Sequence, residues 1–250
     1  MRIGILGGGF MGEAFLRGLI RAEVAKPDEI AVAEISEGRR TALSKHGVRV
    51  TSDLESACIG AEVVLLALKP QDLGAADALS GHLNDDAVLI SIAAGVTLAE
   101  VQRTIGHRAT VRVMPNLPAA IGEGAAAYLM ASETTPLQRR RVLQVLDAVA
   151  SMAIEVHNDE AIDLATALHG SGPAYVFLLI ESMVDAAVRL GMKRADALAL
   201  TEATVAGSAR YAIESGIHPA ELRNAVTSPG GTTAAALAEL EAGGFRASFD

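Results

Sequence analysis

The sequence predicts a doubly wound α/β domain with a mainly parallel sheet, followed by a smaller all-helical domain. Three observations predict it. Short apolar runs alternate with amphipathic helical patterns over residues 1–158. A glycine-rich turn follows the first run directly, and strand-like runs stop after residue 158. Apolar runs that recur between helices are the pattern of a parallel sheet covered on both faces.

Taken in order, Arg2–Leu6 is the first strand, and a helical pattern through Phe15, Leu16, Leu19 and Ile20 follows it. Ile30–Ala33, Val48–Thr51, Val63–Leu68, Val88–Ile92 and Thr110–Val113 repeat the strand theme. Glu37–Lys45, Asp53–Cys58, Leu73–Leu83 and Thr97–Ile105 fit helices between them. Ala126–Met130 and Met152–Val156 add edge strands around a helix over Pro136–Ala150. Beyond residue 158, helices are expected over Ala161–Leu168, Ala174–Leu190, Arg194–Ser215, Pro219–Val226 and Thr232–Ala242. Gly170–Pro173, Gly191, Gly216 and Ser228–Gly231 separate them.

Composition narrows the function. The net charge of −9 and the 3% aromatic content are wrong for a nucleic-acid binder, which needs clustered cations and stacking rings. No run of about 18 apolar residues is free of charge or punctuation, so no membrane span is expected. The N-terminal apolar run meets glycines at once, which makes the expectation a cytoplasmic chain. A lone cysteine, Cys58, excludes a disulfide framework. The six histidines show no ligand spacing, so no metal site is expected.

Gly7-Gly8-Gly9-Phe10-Met11-Gly12 fits GxGxxG, between a predicted strand and a predicted helix. Glu34 ends the second strand about 20 residues further on. Together they read as a Rossmann dinucleotide site: glycines admit the pyrophosphate, and the helix N-terminus receives its charge. Glu34 suits a ribose 2′-hydroxyl and therefore NAD, whereas Arg39 and Arg40 offer cations to a 2′-phosphate. Ligands in such sheets lie at the carboxyl ends of strands. That rule brings in Ala67, Leu68, Lys69 and Pro70, then Ile92, Ala93 and Ala94 beside Ser91, and Asn116 after the sixth run. Lys69 also reads as a solvated strand end. In the helical half, Thr227-Ser228-Pro229-Gly230-Gly231-Thr232-Thr233 opens an alanine-rich helix. The two readings of that loop are a helix cap and a carboxylate-binding site.

These motifs together resemble the pyrroline-5-carboxylate reductases. The resemblance spans nearly the whole chain and rests on the glycine turn, Ala67–Gln71, Ser91–Gly95, Arg112–Gly124, Gly170–Tyr175 and Val226–Thr233 with Ala235, Leu237 and Gly243-Gly244-Phe245. It implies a Rossmann domain over 1–158 and a helical substrate and dimerisation domain over 159–250. The implied reaction is NAD(P)H-dependent reduction of 1-pyrroline-5-carboxylate to L-proline, the last step of proline synthesis. It places cofactor contacts on Gly7 to Gly12, Ala67 to Pro70 and Ile92 to Ala94. Substrate contacts fall on Ser228, Gly230, Gly231, Thr232 and Thr233, with the Thr233 hydroxyl near the imine nitrogen. The family and the two arginines favour NADP(H) slightly over NAD(H).

The chain departs from the pattern at Phe10, where Asn is usual, at Leu117, where Thr is usual, at His169, where Ser is usual, and more loosely at Leu54, where Asn is frequent. The family tail usually continues as a further helix, whereas this sequence stops at Asp250. Leu117 and His169 motivate the alternatives of a related cyclic imine or a hydroxy acid as substrate. A third reading is a non-catalytic NAD(P)H-binding protein. The 47 alanines and 24 glycines bury little area per residue. Ala186, Ala187, Ala203, Ala206, Gly207 and Ala209 line helices that small side chains let approach closely. The expectation is an obligate homodimer or larger homo-oligomer built through the C-terminal helices.

Overall fold

Strands β1 (Ile3–Leu6), β2 (Ile30–Ala33), β4 (Val63–Leu66) and β5 (Val88–Ser91) are buried at every position in a computed structural model that describes all 250 residues. Their continuous apolar runs are what a sheet covered on both faces requires. With β3 (Arg49–Thr51), β6 (Thr110–Pro115), β7 (Gly124–Met130) and β8 (Ala150–Glu155) they form one sheet in the order β3-β2-β1-β4-β5-β6-β7-β8. Pairing is parallel from β3 through β6. β7 runs antiparallel to β6, and β8 runs parallel to β7. The chain winds outward from β1 to β3, then returns to β4 on the other side of β1. That reversal opens a crevice at the carboxyl ends of β1 and β4.

Apolar side chains fill both faces of the sheet. On one, Phe15, Leu16 and Leu19 of α1 (Phe10–Arg21) join Leu43 of α2 (Glu37–Ser44) and Val142, Val145 and Leu146 of α5 (Pro136–Asp147). On the other, Cys58 of α3 (Leu54–Cys58) joins Leu73, Leu79 and the Val101 and Ile105 of α4 (Leu98–Ile105). Ser36, Asp53, Thr97 and Thr135 cap the helices that follow them, each accepting a backbone N–H of the first turn. The helix expected over Leu73–Leu83 is instead a tight 3₁₀ segment, Pro70–Leu79. Gly74 lowers helix propensity in the middle of the segment.

The fold divides into two compact units, Met1–Tyr175 and Val176–Asp250. The first therefore includes α6 (Asp159–Ala165), which lies beyond the expected boundary at residue 158. An ion triad ties it to the sheet. Arg112 on β6 is 3% exposed and donates to Asp159 Oδ1 at 2.6 Å and Asp163 Oδ1 at 2.5 Å. The two carboxylates sit one turn apart on one helix face. Asp159 Oδ1 also accepts from Leu98 N at 3.0 Å.

A π-helical turn, Thr166–Gly170, carries α6 on toward α7 (Gly172–Arg189). The expected interruption at Gly170–Pro173 is thus a change of winding. Pro173 sits in the first turn of α7, where its missing N–H costs no hydrogen bond. Asp159–Arg189 becomes a helical stretch of 31 residues, long and apolar enough to cross a membrane by length and composition only.

The second unit holds most of α7 together with α8 (Arg194–Ser215), α9 (Pro219–Ala225) and α10 (Thr232–Ala242). Gly216, at φ 63°, closes α8 in the left-handed conformation that glycine favours. Arg194 donates to Asp185 at 2.9 Å across the α7–α8 turn.

Candidate active site

The residues expected at the site fall into two clusters, one in each unit. The first is the β1–α1 turn. Gly7 has φ +102°, and a Cβ there would lie 2.6 Å from Ala67 O. A Cβ on Gly12 would lie 2.0 Å from Gly7 O, so α1 starts flush against the turn only because Gly12 has no side chain. Gly9 caps α1 with no side-chain hydrogen bond and has open space around it. The first-turn N–H groups of α1 are left for a ligand. Phe10 is 59% exposed at the same corner, and Met11 is half-buried on the core.

Glu34 closes β2 beside this turn. One of its carboxylate oxygens accepts from Gly8 N at 2.9 Å and the other from Ser36 N at 2.8 Å. Arg39 is drawn into the same network: Nε donates to Gly8 O at 3.1 Å, and Nη2 donates to Gly8 O and to Glu13 Oε2, the latter at 2.7 Å. Arg39 Nη1 has no bond in that network. Arg40 caps Glu34 O and Ile35 O at 2.8 and 2.7 Å. His46 reaches the other oxygen of Glu13 at 3.2 Å. The Arg39 hydrogen bond chiefly holds the Glu13 carboxyl below its usual range; partial burial opposes it and His46 assists. The acid is thus presented beside the glycine turn, while both arginines are engaged with the protein's own oxygens.

The strand ends form the rim. Ala67 N bonds Leu6 O at 2.8 Å; Ala67 and Leu68 are half-buried, and Lys69 and Pro70 are exposed. After β5, Ile92 is half-buried, Ala93 buried and Ala94 exposed. Asn116 follows β6, but its side chain is turned inward. Its Oδ1 accepts from Ala125 N at 2.9 Å, next to the register irregularity at Gly124/Ala125 on β7. Its Nδ2 donates to His169 O at 3.1 Å. Asn116 therefore builds the rim, satisfying a backbone group at the break in the ladder.

The second cluster is the Ser228–Thr233 loop. Gly230 has φ +68°, and Gly231 N turns back to Ser228 O at 3.0 Å. Gly231 then caps α10, with no side chain bonded to its N-terminus. The cap is glycine, and no hydroxyl of the loop bonds the first turn. The first-turn N–H groups stay unspent at the positive end of the helix. Thr233 is half-buried, while Ser228, Gly230 and Thr232 are exposed.

Sequence reasoning missed Glu13, Arg112 and the inward use of Asn116. Arg112 had a signal, a lone cation in the apolar run Thr110–Pro115, with Asp159 and Asp163 at helical spacing.

Comparison with known proteins covers both units. Residues 159–250 fit the family description "pyrroline-5-carboxylate reductase dimerisation", and residues 2–95 fit "NADP oxidoreductase coenzyme F420-dependent". The chain is 42% identical over 251 residues to the pyrroline-5-carboxylate reductase of Synechocystis, covering 100% of this chain and 93% of that one. It is 38% identical to that of Methanosarcina acetivorans, covering 99% and 92%. Among solved structures, the reductase of Coxiella burnetii superposes with a TM-score of 0.87 at 36% identity, covering 99% of this chain and 93% of that one. The Plasmodium falciparum pyrroline carboxylate reductase with NADP bound gives 0.89 at 28%, covering 100% and 92%. Identity at this level runs over the full length, and the chain belongs to the pyrroline-5-carboxylate reductase family.

Proposed function

We propose that this chain is an NAD(P)H-dependent reductase that converts 1-pyrroline-5-carboxylate to L-proline. The observation that carries the reading is the pairing of a dinucleotide turn with an uncapped, glycine-led helix N-terminus bearing Thr233, in a chain whose relatives are named for that reaction. Gly7 to Gly12 and Glu34 would hold the dinucleotide, with Ala67–Pro70 and Ile92–Ala94 along its course. When bound, it supplies a hydride to the imine carbon. The N–H groups of Gly230, Thr232 and Thr233, with the Ser228 hydroxyl, receive the substrate carboxylate, while Gly231 N–H holds the turn through Ser228 O. The Thr233 hydroxyl hydrogen-bonds the ring nitrogen and orients the imine. A protonated imine is already electrophilic, so the protein needs no strong general acid; proximity and orientation supply most of the rate.

Residues 1–158 would bind the dinucleotide and residues 159–250 would carry the substrate loop and the dimer contact. The dimerisation model's first matched residue, 159, supports that division. The chain would act in the cytoplasm on a small imino acid, with the apolar Asp159–Arg189 stretch covered by a second copy rather than by lipid.

The test is NADH and NADPH oxidation with five- and six-membered cyclic imino acids and with hydroxy acids. The five-membered imine should turn over fastest. Thr233→Ala should lower kcat/KM by about tenfold to a hundredfold. Undiminished kcat/KM in that variant contradicts the role of the hydroxyl.

A further inference from the structure

The π turn at Thr166–Gly170 aims an unusual side chain at the rim. His169 is half-buried, with Nδ1 2.5 Å from Ala165 O and Nε2 2.8 Å from Met114 O. Both partners are carbonyl oxygens, which only accept. A neutral imidazole has one N–H and satisfies one of them; the doubly protonated ring satisfies both. The return contact is Asn116 Nδ2, which donates to His169 O at 3.1 Å. Two reciprocal hydrogen bonds thus lock the carboxyl end of β6 to the turn. Gly170 makes the approach possible, since a Cβ there would lie 3.3 Å from Met114 Cε and 3.1 Å from Thr166 Cγ2.

We infer that His169 is a positioning residue for the reduction: a clamp whose ring bridges Ala165 O and Met114 O and so holds the Met114–Asn116 rim to the turn. The inference rests on the proposed reductase activity. By the strand-end rule, this rim lies on the same side of the sheet as the Ile92–Ala94 segment that would flank the dinucleotide. Holding it fixed keeps the reacting groups aligned, and displacements of about 1 Å have large kinetic effects. The charged and titratable groups on the elements packed against the turn are Arg112 on β6, Tyr128 on β7, and Asp159, Glu160 and Asp163 on α6. Arg112 is spent on Asp159 and Asp163, and the ring's bonds are to backbone oxygens.

The experiment compares the unaltered protein with H169A and H169Q at one fixed pH. NADPH affinity is read by nicotinamide fluorescence, and kcat and KM by NADPH oxidation with pyrroline-5-carboxylate. H169A should keep its NADPH Kd within about twofold while kcat falls about tenfold. H169Q, whose amide can still donate to a carbonyl, should recover part of kcat. In histidine-labelled protein, one ring should show a hydrogen-bonded, slowly exchanging N–H proton. Equal kcat in all three proteins, or an equal deficit in both variants, overturns the clamp. If H169A does not fold, H169Q and the ring proton decide. An unaltered protein with no reductase activity defeats the functional reading; the ring proton then decides the clamp alone.

Discussion

The two units treat their apolar residues in opposite ways. Met1–Tyr175 encloses a core of large apolar side chains: Phe15, Leu16, Leu65 and Leu89 are all 0–1% exposed. In Val176–Asp250 the buried residues are Val184, Ala197 and Thr201, while Leu178, Leu190, Tyr211 and Ile213 are 60–91% exposed. Helix length and composition are good in both. What differs is whether the segment's own neighbours can cover its apolar surface. The sheet unit buries a core of its own on both faces of the sheet. The helical unit exposes most of its large apolar side chains, which a monomer does not normally leave in water in such number, and it lies within the stretch matched by the dimerisation description.

The largest effect should come from charging that surface. Phe177→Asp with Leu178→Asp should dissociate the oligomer and lower activity by about a hundredfold or more, read by sedimentation and NADPH oxidation. The same charge at Ile59, 75% exposed on the sheet unit, should change neither. Gly12→Val cuts the other way. Its Cβ would collide with Gly7 O, and dinucleotide affinity should fall by about a hundredfold while the oligomer persists.

Asp159→Ala should cost about 3 kcal/mol in a denaturant melt, because buried Arg112 loses its better-buried partner and Leu98 N its acceptor. Glu34→Gln should raise kcat/KM for NADPH relative to NADH by about tenfold, since a carboxylate no longer faces the 2′-phosphate.

Legibility followed the same division. The strands were readable because Val63–Leu66 and Val88–Ser91 are apolar at every position, and the glycine turn because its spacing is imposed by close contacts at Gly7 and Gly12. Tertiary bonds were not readable. Nothing in local sequence says that Arg39 folds back onto Gly8 O and Glu13, or that Asn116 turns inward to Ala125. The π turn was mistaken for a break because Gly170–Pro173 signals punctuation in most contexts.

The smallest effect is acid sensitivity, and it belongs to the sheet unit. Glu13, Glu62 and Glu155 are held below the ordinary 4.5, by Arg39, by the Arg2 backbone N–H and by Arg139 respectively, against partial desolvation. A lowered carboxyl stabilises the fold above its unfolded-state value, and that stability is lost as pH falls through the folded-state value. The melting temperature of the sheet unit should therefore drop by a few degrees as pH falls below about 4.5. The Cys58 thiol, pushed up to about 12 chiefly by burial, should resist thiol reagents at neutral pH until the unit unfolds.

The central claim is that the helical unit is completed by a second copy of the chain. Sedimentation velocity at micromolar concentration, with NADPH oxidation assayed on the same fractions, tests it most directly. A dimer or larger species carrying all of the activity is the predicted result. A stable, fully active monomer would contradict it.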